Sequence, residues 1–132
     1  MKKSIILTFA LLLSVAAFSQ KGTTAVLMYF KADLACCKAR ACAAIENDVK
    51  TIVEKNFTNG NVVFKEVKIS DPENAALVEQ YKAQSQTVIL VVNRKKKISS
   101  AEATSILKTY QQNGDKAAFE EALVKFINEN IQ

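Results

Sequence analysis

Apolar positions change their spacing several times along the chain, and each change marks an element. Residues 24–30 (TAVLMYF) form an apolar, aromatic-rich run, the pattern of a buried strand. From residue 41 to 57 the spacing turns helical: Cys42, Ile45, Val49, Ile52 and Val53 share one face, while Asn47, Lys50 and Glu54 point away. Glu46 stands four residues before Lys50, the favourable order for a helical ion pair. Asn59-Gly60-Asn61 ends that helix. Residues 62–69 read as a second strand. Asp71 and Pro72 supply the N-cap and first-turn proline of a helix striped by Leu77, Val78 and Tyr81. Residues 87–92 (TVILVV) are almost wholly β-branched and apolar, as in a strand buried on both faces. Asn93 and Arg94 turn the chain into a short strand ending near Ile98. Residues 99–112 carry no firm period and read as a loop holding a short helix. Asn113-Gly114-Asp115 opens the last helix, where Phe119, Ala122, Leu123 and Phe126 recur at helical spacing.

The resulting order is β-α-β-α-β-β-α. A strand–helix–strand unit closes parallel and right-handed, whereas the final β-β-α needs an antiparallel hairpin and a covering helix. A mixed four-stranded sheet with helices on both faces meets both demands, so the fold class is α/β in a thioredoxin-like arrangement. Open α/β sheets bind ligands beyond the carboxyl ends of their strands. The end of the first strand and the start of the first helix are therefore the place to look for chemistry.

The first residues stand outside this pattern. Lys2 and Lys3, an apolar run over 5–15, and Ala17-Phe18-Ser19 read as a secretory signal peptide cut after Ser19. Residues 20–132 then form one thioredoxin-like domain, periplasmic or secreted, with no membrane span after cleavage. Lys2 and Lys3 carry two units of the net charge of +5, and the remainder is too small to imply nucleic acid. The one basic run, Arg94-Lys95-Lys96-Lys97, suits a solvated hairpin. No His is present, which excludes Ser-His and Cys-His nucleophiles and imidazole metal sites. Gly22, Gly60 and Gly114 are isolated, so no phosphate-cradling loop exists. Glu46, Asp48 and Glu54 belong to the polar face of a helix rather than to a catalytic acid pair. No cofactor is expected.

The chemistry concentrates in Cys36, Cys37 and Cys42. Thiols on the first turn of a helix meet free N–H groups and the positive end of the dipole, both of which favour thiolate. Lys31, Lys38 and Arg40 add positive charge there, and Asp33 opposes it. Cys42 also fits the apolar stripe with Ile45 and Val49 as a small core side chain. An oxidising compartment permits a disulfide, and an odd cysteine count leaves one thiol over.

Met28-Tyr29-Phe30, the cysteine junction, and Cys42-Ala43-Ala44-Ile45-Glu46 together resemble a small exported thioredoxin-like family, the ArsF-like or nitrophenyl nitroreductase subunit type. The stretch LVEQYK at 77–82, followed by Gln86, Thr87 and an apolar strand, resembles it too. The likeness covers most of residues 24–128. The likeness implies the fold, and together with the thiols it points to exchange with a protein thiol or disulfide partner: Cys37 attacks, Cys42 resolves, Cys36 is the leftover thiol, Lys38 and Arg40 favour thiolate, and Arg40, Gln86 and Thr87 face the substrate. Two departures stand out. Ala39 occupies the place of the first cysteine of the family's Cys-x-x-Cys. Gln86 precedes Thr87 where ordinary thioredoxins carry a cis-proline. Two local structures compete at the junction: a helix unbroken from Leu34 and capped by Asp33, or a loop over 33–38 with the helix starting near Ala39. The resemblance favours the loop, in which Cys37 folds back to form a disulfide with Cys42. A non-catalytic protein-binding module, and soft-metal or metalloid capture by the thiolates, are the alternative functions.

Overall fold

The sheet grows from the two apolar runs. In a computed structural model, which describes residues 24–132 except Ala35 and only the backbone of Cys36, β1 (Thr24–Lys31) and β3 (Val88–Arg94) lie side by side at the centre. The signal-peptide reading of residues 1–19 lies outside the described residues. Strand β2 (Val62–Lys68) pairs parallel to β1, and β4 (Lys97–Glu102) pairs antiparallel to β3, giving the order β2-β1-β3-β4. β1 and β3 run antiparallel, with Leu27 opposite Leu90 and Tyr29 opposite Val88.

Alternation along the strands divides the core between the two faces. Ala25, Leu27, Tyr29, Val88, Leu90 and Val92 point to one side, where they meet Val49, Ile52 and Val53 of helix α1 (Cys36–Asn56). Leu107 of α3 (Thr104–Asn113) and Phe119, Leu123 and Ile127 of α4 (Lys116–Ile131) close the same layer. Met28, Phe30, Val67 and Ile89 point to the other side, under Leu77, Val78 and Tyr81 of the short helix α2 (Ala75–Tyr81). Each large aliphatic side chain taken from water in this way contributes about 1.5–3 kcal/mol. The result is the expected mixed four-stranded sheet with helices on both faces.

The caps follow the sequence closely. Asp71 accepts from the backbone N–H of Glu73 and starts a 3-10 turn (Pro72–Asn74) that runs into α2. Asp115 accepts from the N–H of Ala118 and starts α4. Gly114, at φ +67°, ends α3 in the left-handed region that a Cβ would resist.

Two expectations need correction. Helix α1 starts at Cys36, three residues before the expected start near Ala39. Residues 36–42 contain no Gly or Pro, and Ala39 and Ala41 are the strongest helix formers, so nothing holds that segment in a loop. Residues 99–112 hold the expected helix but little of the expected loop. Strand β4 continues to Glu102 and a full ten-residue helix, α3, follows. Ser99, Ser100 and Glu102 are poor strand formers by composition. They pair because β3 presents its backbone to them along six positions.

Candidate functional site

The carboxyl end of β1, the early turns of α1 and the loop before β3 meet at one end of the sheet. The loop is tied to β1 by its backbone. The N–H of Gln86 donates to the carbonyl of Phe30 at 2.7 Å, and the N–H of Phe30 donates to the carbonyl of Thr87 at 2.9 Å. Thr87 closes the loop on itself. Its N–H donates to the Gln84 carbonyl at 3.1 Å, and its hydroxyl accepts from the Gln84 N–H at 2.9 Å. Gln86 sits at φ +70°, a left-handed conformation costly for a residue with a Cβ. That conformation carries its side chain to Cys42: Nε2 donates to Sγ at 3.2 Å. The other end of the amide accepts from Nε2 of Gln111 in α3 at 2.8 Å.

Cys42 lines a cavity of about 290 Å³ together with Tyr29, Lys31, Asp33, Glu46 and Gln86. Tyr29 is fully buried, and its hydroxyl has no hydrogen-bond partner. The Gln86 amide lies close enough to draw the phenol down, while its bonds run to Cys42 and Gln111. Burial pushes the Tyr29 phenol up to about 12 against the lowering effect of the Gln86 amide, and the neighbouring Cys42 and Glu46 push the same way as burial. Lys31 Nζ lies 3.2 Å from Glu46 Oε2 and 3.2 Å from Glu66 Oε1, so one ammonium serves two carboxylates. Burial alone would lower the Lys31 ammonium, but the hydrogen bonds to Glu46 and Glu66 outweigh it and hold it above the usual range. Burial, with Glu66 close by, raises the Glu46 carboxyl. Asp33 accepts from Ser70 Oγ at 2.6 Å.

The expected site residues do not all converge. Cys42 and Gln86 do. Cys37 is exposed and Arg40 is exposed on α1, and neither lines the cavity. Thr87 is buried with its hydroxyl turned inward to Gln84. The backbone places Cys36 at the first position of α1. The favoured Cys37–Cys42 disulfide is absent, and both thiols are free. The reason is the early helix start. Five residues along a helix separate their Cα atoms by roughly 8–9 Å and turn them to different sides, beyond the reach of about 7 Å that a disulfide allows. Among the described residues, no three His, Cys, Asp or Glu side chains gather as a metal site would require. Tyr29 and Gln111 were not singled out as site residues. Strand alternation puts Tyr29 on the α1 face with Leu27, which was readable. Gln111 lies in α3, which the sequence pattern gave only as a short helix within a loop.

No family model matches the chain, and no curated protein matches it. Among solved structures it is similar to a thioredoxin from Thermus thermophilus, at 18% identity over 70% of this chain and 75% of that one, with a TM-score of 0.45. It is also similar to a malarial protein, at 14% identity over 61% of this chain and 82% of that one, with a TM-score of 0.40. What makes the arrangement thioredoxin-like is its own topology: the order β2-β1-β3-β4, a parallel β1–β2 pair, and α1 and α4 on the face opposite α2.

Proposed function

We propose that this is an exported thioredoxin-fold protein that exchanges with disulfides through one thiol, Cys42. The observation that carries the reading is Cys42 Sγ held at 3.2 Å by the Gln86 amide inside a cavity, with Cys37 out of reach on the same helix. The Gln86 N–H fixes the sulfur in the cavity, and thiolate is the form of a cysteine that attacks. The Cys42 thiolate attacks one sulfur of a partner disulfide, the S–S bond breaks, and the second partner sulfur leaves as thiolate. The product is a mixed disulfide that an external thiol releases, since Cys37 is out of reach on the same helix. Export rests on the leader-like residues 1–19, and an oxidising compartment supplies disulfides. The resemblance to ArsF-like exported proteins supports the same reading, with Ala39 accounting for the loss of a dithiol.

The test uses a chain with Cys36→Ser and Cys37→Ser, treated with an aromatic disulfide such as 5,5′-dithiobis(2-nitrobenzoate). Stoichiometric release of the aromatic thiolate, faster in the folded than in the urea-unfolded chain, is the expected result. Reaction only after unfolding rejects the proposal. It would favour the second reading, a non-catalytic binding module, for which Ala39 is the specific support.

A further inference from the structure

The cavity beside Cys42 holds more chemistry than a thiol needs. Its wall carries two acidic side chains, Asp33 and Glu46, against one basic side chain, Lys31. That one ammonium is already shared with Glu66 at 3.2 Å. Among the described residues no ammonium or guanidinium pairs with Asp33. The cavity therefore faces its ligand with an excess of negative charge. Next to it, the buried hydroxyl of Tyr29 lacks any partner. A buried polar group left unpaired costs free energy, and a ligand that pairs it regains that cost.

Part of the loop backbone is closed to an extended peptide. The N–H groups of Gln86 and Thr87 already donate to Phe30 and Gln84, and the Thr87 carbonyl already accepts from Phe30. A partner strand would need such groups free. A volume of about 290 Å³ is at the lower end of small-molecule sites.

Resting on the Cys42 exchange reading above, we infer that the cavity takes a low-molecular-weight aminothiol in its disulfide form. Its ammonium sits against Glu46 and Asp33, and a polar atom of the ligand pairs with the Tyr29 hydroxyl. Cys42 attacks the nearer sulfur, the aminothiolate of the far half leaves and takes up a proton from water, and the near half stays bound as a mixed disulfide.

The experiment measures mixed-disulfide formation at Cys42 by intact mass, in the Cys36→Ser, Cys37→Ser chain. Three probes are compared: cystamine (cationic), bis(2-hydroxyethyl) disulfide (neutral) and 3,3′-dithiodipropionate (anionic). Each rate is divided by that of the urea-unfolded chain, which removes the intrinsic reactivity of the probe. The expected order is cationic over neutral over anionic, with the first step about fivefold at low ionic strength and shrinking in salt. Glu46→Gln should bring the cationic rate close to the neutral one. Equal normalised rates for the three probes, or a preference that Glu46→Gln and salt leave unchanged, overturn the inference while the exchange function stands. Absence of any mixed disulfide in the folded chain, with all three probes, overturns both.

Discussion

Removing the Tyr29 hydroxyl should make the protein more stable and less able to react. The ring is fully buried in the layer between the sheet and α1, and its oxygen has no partner. An unpaired buried polar group costs about 1–3 kcal/mol. Deleting the oxygen leaves a gap that forfeits a few dispersion contacts, each worth about 0.1–0.2 kcal/mol. The Tyr29→Phe chain should therefore gain about 1 kcal/mol, which raises Tm by roughly 4 °C in a domain of this size. Circular dichroism melting at pH 7, with the thiols reduced, reads the gain. A second readout marks the same group. Because burial raises the phenol to about 12 from an ordinary value of 10.0, the unfolded chain releases that proton first as pH rises. Stability contributed by the neutral phenol is thus present below pH 10 and falls between pH 10 and 12. Ultraviolet titration should show a late-ionising tyrosine in the wild type that is missing from Tyr29→Phe. Cystamine should react more slowly with the variant. A fall in Tm of several degrees would refute the reasoning, because it would mean that the hydroxyl has a partner inside the fold.

Asp48 accepts from Tyr110 at 2.8 Å and from Lys116 at 2.6 Å, joining α1 to α3 and α4. Burial alone would raise its carboxyl, but these two bonds outweigh burial and hold it below its ordinary 3.8, so its contribution is present above that pH and is lost as pH falls through the lower folded value. Asp48→Asn should lower Tm at pH 7 by about 4 °C and flatten the acid limb; unchanged acid sensitivity would show that the carboxylate has no such role. At Gln86, two variants separate backbone strain from the thiol contact. Both Gln86→Ala and Gln86→Gly lose the amide, but only glycine relaxes at φ +70°, so the glycine variant should be the more stable in urea by about 1 kcal/mol. Equal midpoints would deny the strain.

The sheet was legible because its central strands announce themselves twice, by long apolar runs and by turn residues at their ends. β1 and β3 are buried on both faces, and a strand of that kind leaves little doubt in composition. The edge was harder. β4 contributes only intermediate and exposed residues, and its pairing is decided by the backbone of β3 rather than by its own side chains. Helix α3 buries only Leu107, so its period is faint even though Ile106 and Tyr110 rest against the core. At the cysteine junction, a resemblance argued for a loop and local propensity argued for a helix. Propensity prevailed, since no residue from 36 to 42 breaks a helix.

That early start changes which groups meet the Cys42 thiol. A helix dipole acts within about the first turn. With α1 beginning at Cys36, Cys42 stands six residues in, on the second turn, and the free N–H groups of the helix end lie behind it. Cys37 has the dipole but stands exposed and apart from the cavity. The donor that meets the Cys42 sulfur therefore comes from outside its own helix: it is the Gln86 amide, at 3.2 Å. An amide on a loop is a weak device unless its rotation is fixed. Here the backbone fixes one end, through the bonds to Phe30, and Gln111 fixes the other. The helix that the sequence showed only faintly is thus the one that orients the thiol's partner. A thiol held by a side chain rather than by a helix end depends on whatever orients that side chain, and here Gln111 of α3 is one such residue.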